Sequence, residues 1–108
     1  MVEHVNNDNL KSYYSETNKK VVVRFYSNWS GLCNAIEPYY HRFAQDQHNT
    51  ITFLDVDVSH NLKSTAAVGA FSLPFIAVYE AGELTEKLSD SNLVQLQAFL
   101  RKQTETLS

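Results

Sequence analysis

The run Val21-Val22-Val23-Arg24-Phe25-Tyr26, followed by Ser27-Asn28-Trp29-Ser30 and then a helical pattern, narrows the folds open to this chain more than any other feature. β-Branched and aromatic residues suit the pleated, buried surface of a sheet. From Gly31 onward the apolar residues fall instead at helical spacing, with Cys33, Ile36, Tyr40 and Phe43 on one side. A buried strand is thus predicted to feed directly into an amphipathic helix. Ser30 stands at the junction, where its hydroxyl can accept from a first-turn backbone N–H; such a cap is typically worth about 1 kcal/mol. Pro38 lies inside the helical pattern, removes an N–H donor and predicts a kink.

The rest of the chain alternates strand and helix patterns. Val2 to Val5 reads as a short strand, and Asn7-Asp8-Asn9 followed by Leu10, Tyr13 and Tyr14 as a cap and first helix. Lys19 and Lys20 close the connection into the Val21 strand. Ile51 to Val58 reads as a second parallel strand, and Ser59, Asn61 and Lys63 lead a short helix ending near Gly69. Phe75 to Tyr79 and Leu84 to Leu88 flank Ala81-Gly82 as a hairpin. Asp90 or Ser91 is expected to cap a last helix carrying Leu93, Leu96, Phe99 and Leu100.

With 108 residues, 44% of them hydrophobic, the chain is expected to form a single domain, 1–108, able to bury a core without staples. A net charge of -3, spread without a basic stripe, argues against nucleic acid as a partner. The apolar runs are too short to span a bilayer, and the polar first residues do not read as a cleaved signal peptide. A single cysteine makes no internal disulfide and requires no oxidising compartment. The expectation is an intracellular, cytoplasmic, soluble monomer. No cofactor is expected, and no metal, because His4, His41, His48 and His60 show no ligand spacing and there is no second cysteine. Asp55 and Asp57 alternate on one strand and are read as strand-end caps. Asn28-Trp29-Ser30 matches a glycosylation sequon, read as accidental.

Trp29, the Ser30-Gly31-Leu32-Cys33 turn, Pro38, Asp57, the Phe71-Ser72-Leu73-Pro74 loop and Gly82 together resemble the thioredoxin family in spacing over nearly the whole chain. The resemblance implies an α/β thioredoxin fold, a central mixed sheet with helices on both faces. It implies a cis Leu73–Pro74 bond beside the turn, and a shallow apolar groove in which Trp29, Gly31, Leu32, Leu73 and Pro74 bind substrate. An extended peptide would pair there with the Leu73 backbone.

The same resemblance identifies Ser30 and Cys33 as the catalytic positions, with serine in place of the family's nucleophilic cysteine. Dithiol exchange needs an attacking thiolate and a second thiol that resolves the mixed disulfide. Serine supplies neither at position 30. Cys33 then has three readings: a small buried hydrophobe, a slow monothiol nucleophile forming mixed disulfides with proteins or glutathione, and a metal or iron–sulfur ligand, which the absence of further ligands disfavours. Thioredoxins usually carry a buried aspartate where Arg24 stands, and Leu32 replaces the proline of their turn. Arg24 is expected to snorkel outward. The functional expectation is a thioredoxin-like protein of thiol/disulfide redox homeostasis, with dithiol exchange impaired and peptide binding retained. Whether it is an enzyme, a protein-disulfide oxidoreductase, stays open. Two alternatives stand beside this: a non-catalytic interaction module, similar to the thioredoxin-like domains of monothiol glutaredoxins, and an engineered Cys-to-Ser variant of an active reductase.

Overall fold

The computed structural model describes residues 2–15 and 17–105. Strands β1 (Val2–His4), β2 (Lys20–Tyr26), β3 (Ile51–Asp57), β4 (Phe75–Glu80) and β5 (Glu83–Ser89) form one sheet in the order β1-β3-β2-β4-β5. Helices α1 (Leu10–Ser15), α2 (Gly31–Gln47), α3 (Leu62–Val68) and α4 (Leu93–Glu105) complete the fold, with a 3-10 turn at Val58–His60. The order is therefore βαβαβαββα, the nine elements read from the sequence in the same succession. Strands β1, β3 and β2 run parallel, while β4 is antiparallel to β2 and β5 to β4, so the sheet is mixed.

The period of two along each strand divides the core into two layers. Val21, Val23 and Phe25 of β2 join Leu54, Val56, Ala77 and Tyr79 beneath α1 and the α3 connection. Val22 turns the other way, with Phe53, Ile76 and Val78, against Ile36, Tyr40 and Ala44 of α2 and Leu96 and Leu100 of α4. Every residue of β2 is buried, as a central strand covered on both sides must be.

Local chemistry sets the ends of the helices. Gly69, at φ 79°, closes α3 in the left-handed conformation that glycine adopts without a steric penalty. Ala81 and Gly82 both have positive φ, which matches the twist of a two-residue hairpin. The cap of α4 is neither Asp90 nor Ser91 but Asn92. Its Oδ1 accepts from the Gln95 N–H at 2.9 Å, and Gln95 Oε1 accepts from the Asn92 N–H at 2.9 Å. This is the reciprocal capping box, with Asn and Gln in its two positions. The α1 entry is also organised one residue earlier than expected, by Asn6, whose Oδ1 accepts from Asp8 and Asn9. Asn7 instead accepts from the Ser64 N–H, tying α1 to α3. Lys20 is a buried first residue of β2 rather than a loop residue, its Nζ donating to the Gln103 carbonyl and Oε1 at 3.1 Å. The helix α2 runs unbroken through Pro38.

Candidate functional site at the carboxyl end of the central strand

Strand register brings the sequence-predicted residues together. Tyr26 lies opposite Asp57 on β3, Phe25 opposite Phe75 on β4, and Phe75 opposite Ser89 on β5. The chain leaving β2 through Trp29 and Ser30 therefore emerges at the same sheet end as the chain entering β4 through Leu73 and Pro74. The Leu73–Pro74 peptide is cis, as the resemblance implied. The Asp90 N–H donates to the Pro74 carbonyl at 3.0 Å, which fixes the start of α4 to this loop.

Ser30 is the N-cap of α2. Its backbone is extended, at φ -87° and ψ 116°, its carbonyl accepts the first helical bond from Asn34, and its Oγ accepts from the Cys33 N–H at 3.2 Å. Cys33 is 1% exposed and lies with Ile36 and Tyr40 on the inward face of α2. Trp29 stands out at 78% exposure. Gly31 is exposed, and a Cβ added there would meet no atom within 4 Å. Leu32 and Leu73 are half-buried, with Leu73 packed partly on the α1/α3-side core. Pro74 is buried. The Leu73 N–H and carbonyl make no hydrogen bond among the described residues, leaving one donor and one acceptor free beside the turn.

Beneath the turn the structure overturns the outward reading of Arg24. Its side chain is fully buried on the α2 side of the sheet. Nε donates to Asp55 Oδ1 at 2.8 Å, and one terminal nitrogen donates both to Asp55 Oδ2 at 2.9 Å and to Glu37 Oε2 at 3.1 Å. Asp55 is thus no strand-end cap. It faces Arg24 directly across the parallel β2–β3 pair and also bonds His41 Nε2 at 3.0 Å. Only Asp57 caps, accepting from the Ser59 N–H at the 3-10 turn.

Burial opposes the Arg24 charge, yet the Asp55 hydrogen bonds and charge, with help from Glu37, hold the guanidinium protonated above its ordinary range. The guanidinium also lies 4.4 Å from the Tyr26 ring centroid and 5.4 Å from that of Tyr40, close enough for cation–π attraction. Its other terminal nitrogen is buried without a hydrogen-bond partner, as are the hydroxyls of Ser27 and Ser91. Burial, then the Asp55 charge, push the Tyr40 phenol well above its usual value, and its hydroxyl donates to the Leu54 carbonyl at 2.8 Å.

Reading each aspartate along its own strand missed this network. The signal available was parity: Arg24 shares the parity of Val22, Asp55 that of Ile51 and Phe53, and all face one layer. Cys33, Glu37 and His41, spaced i, i+4 and i+8, place the network's two helical members on the stripe that begins at the cysteine. No group of three or more His, Cys, Asp or Glu able to hold a metal ion occurs among the described residues. Nor is any described helix long and apolar enough to cross a membrane.

Comparison with known proteins agrees with this geometry. The thioredoxin family profile matches residues 1–102. A thioredoxin of Mycoplasmoides gallisepticum is 33% identical over 86 residues, covering 80% of this chain and 85% of that protein. Thioredoxin-1 of Schizosaccharomyces pombe is 32% identical over 83 residues, covering 77% and 80%. The crystal structure of Malassezia sympodialis thioredoxin superposes with a TM-score of 0.86 at 22% identity, covering 94% of this chain and 92% of that one.

Proposed function

This chain belongs to the thioredoxin family of redox proteins, and from that premise we propose that it acts in thiol/disulfide redox homeostasis with dithiol exchange impaired and peptide binding retained. The observation that carries the reading is the use of Ser30. Its Oγ serves as the helix cap, accepting from the Cys33 N–H, at the position where the family's first cysteine attacks. In dithiol exchange a thiolate attacks a partner disulfide, one sulfur of the partner leaves as a thiolate, and a second thiol then displaces the mixed disulfide. Here the chain has one sulfur for both steps, so by itself it does not go beyond the first, and a mixed disulfide on Cys33 is released only by an external thiol.

Cys33 is the sulfur that would take that first step. Its thiolate would attack the partner disulfide, form one mixed disulfide bond and release one partner thiolate. Burial at 1% exposure makes the step slow. Protein thiols and disulfides are the partners that fit the family, and glutathione is a small partner for the same monothiol step. The groove of Trp29, Gly31, Leu32, Leu73 and Pro74 needs no sulfur to bind. The free Leu73 N–H and carbonyl supply a template for an extended peptide, in the manner of strand addition. A cytoplasmic monomer is the setting proposed for this activity.

A second reading, a pure interaction module, is favoured by Arg24. The family's buried acid at this position is replaced by a cation whose two carboxylate partners are already engaged. The deciding experiment is disulfide-reductase turnover with a thioredoxin reductase and a model disulfide protein, for the chain and for Ser30→Cys. Restored turnover in Ser30→Cys supports a competent redox scaffold lacking one sulfur. A folded but inactive Ser30→Cys overturns that reading in favour of the interaction module.

A further inference from the structure

Five connections belong to the sheet end that carries the turn: residues 5–9, 27–30, 58–61, 69–74 and 90–92. Among them stand two carboxylates, Asp8 and Asp90, and neither lysine nor arginine. The two lysines nearest in sequence, Lys11 on α1 and Lys63 on α3, line a different cavity, which reaches Tyr79 and Gly82 toward the far end of the hairpin. Two large apolar side chains of these connections project into solvent, Trp29 and Phe71, each 78% exposed. Phe71 precedes Leu73, whose backbone donor and acceptor are free, by two residues.

Asp90 is placed against the same loop. Its N–H bonds the Pro74 carbonyl, and its φ of 54° lies in the left-handed region that side chains other than glycine seldom adopt. Its side chain is exposed. Beyond Asp90, α4 opens with Leu93 and Val94, which are also partly or largely exposed.

We infer that Phe71, with Trp29, and Asp90 set the specificity of this surface for an extended peptide that is aromatic or apolar at its centre and basic on its flanks. The inference rests on the groove proposed above. An apolar side chain of the bound segment removes Trp29 and Phe71 from water. A lysine or arginine beside it finds Asp90 and no lysine or arginine in the connections, where His60 is the one other titratable base, while an acidic segment meets like charge. The apolar contact supplies affinity and the carboxylate supplies selection between peptides of equal apolar content.

The chain's single tryptophan, Trp29, makes the test direct. Capped heptapeptides with one central phenylalanine and either three lysines or three glutamates are titrated against the full chain, with Trp29 emission as the readout and calorimetry alongside. The lysine peptide is expected to bind about two- to fivefold more tightly than the glutamate peptide at low salt, as one exposed charge pair allows, and the difference should shrink as salt is raised. Asp90→Asn keeps a residue that tolerates the left-handed conformation and should abolish the difference without loss of fold. Phe71→Ser should weaken both peptides alike, as should replacing the central phenylalanine by serine. Equal binding of the two charged peptides, or a preference for glutamate, overturns the inference while leaving the groove reading intact. Failure of both peptides to bind by either method overturns the groove reading and this inference with it.

Discussion

The two faces of the sheet are built by different means, although the same strands supply both. Beneath α1 and α3, β2 presents Val21, Val23 and Phe25 to an apolar layer with Leu54, Val56, Phe75 and Ala77. Beneath α2, the alternate residues are Val22, Arg24 and Tyr26, and the layer includes a buried ion pair. The first face is held by area removed from water, which is indifferent to the identity of the neighbour. The second depends on one partner being in place, because a buried charge left alone costs far more than a buried methyl group. The face with the charges is also the one covered by the helix of the Ser30 turn. Glu37 and His41, which complete the network, are both on α2.

The sharpest way to break this contrast is Asp55→Ala, which strands Arg24 in the interior. A loss of about 3–5 kcal/mol is expected from urea denaturation. Replacing both partners, Arg24→Met with Asp55→Leu, should recover most of that stability. If the double variant is as unstable as Asp55→Ala, the network is not reducible to its central pair.

On the opposite face the neighbouring position gives the control. Leu54→Ala should cost about 2–5 kcal/mol through lost burial and a residual cavity, with little dependence on salt. Equality of the two losses in size but not in the rescue would sharpen the distinction between the layers.

Tyr79, on the apolar face and stacked on Tyr14 at 4.0 Å between centroids, has its phenol pushed up to about 12, by burial first and then by Tyr14. A pKa raised above the unfolded value of about 10 stabilises the fold fully below that pH, and the contribution is lost as pH rises through 12. The chain should therefore show late phenolate absorbance, and Tyr79→Phe should flatten the alkaline limb of stability. Ordinary titration of Tyr79 would remove the case for its burial.

Smaller effects belong to the helix ends and the edge. Ser30→Ala removes the α2 cap and should cost about 1 kcal/mol by thermal or urea denaturation. Glu86, on β5, is held below the usual carboxylate range, chiefly by its hydrogen bond from Lys102 at 2.9 Å with a further bond from Gln103, against a smaller effect of burial. Its contribution is present at neutral pH and lost as pH falls through the lowered value. Glu86→Gln should cost less than about 1 kcal/mol and soften the acid limb, more so at low salt.

Much of this was legible in the chain itself. Period-two runs located the central strands, helical spacing placed Cys33, Ile36 and Tyr40 inward, and Gly69 and Ala81-Gly82 marked the αL cap and the hairpin. Ser30 was readable as a cap because N-cap chemistry is local. Asn92 was missed because Asp90 and Ser91 are equally good caps by composition, and the choice came from the reciprocal bond to Gln95.

The sequence by itself determined which segments are strands and which are helices, the family's pattern of turn and proline, and the serine and single cysteine of that turn. These depend on neighbours within a few residues, or on residue identity alone. Only the tertiary structure decided that Arg24 points inward and that Asp55 faces it. A charge on a strand turns inward or outward according to whether the adjoining strand and helix offer a partner that offsets its desolvation. That depends on the β2–β3 register and on the position of α2, across 31 residues of intervening chain for Asp55 and 13 for Glu37.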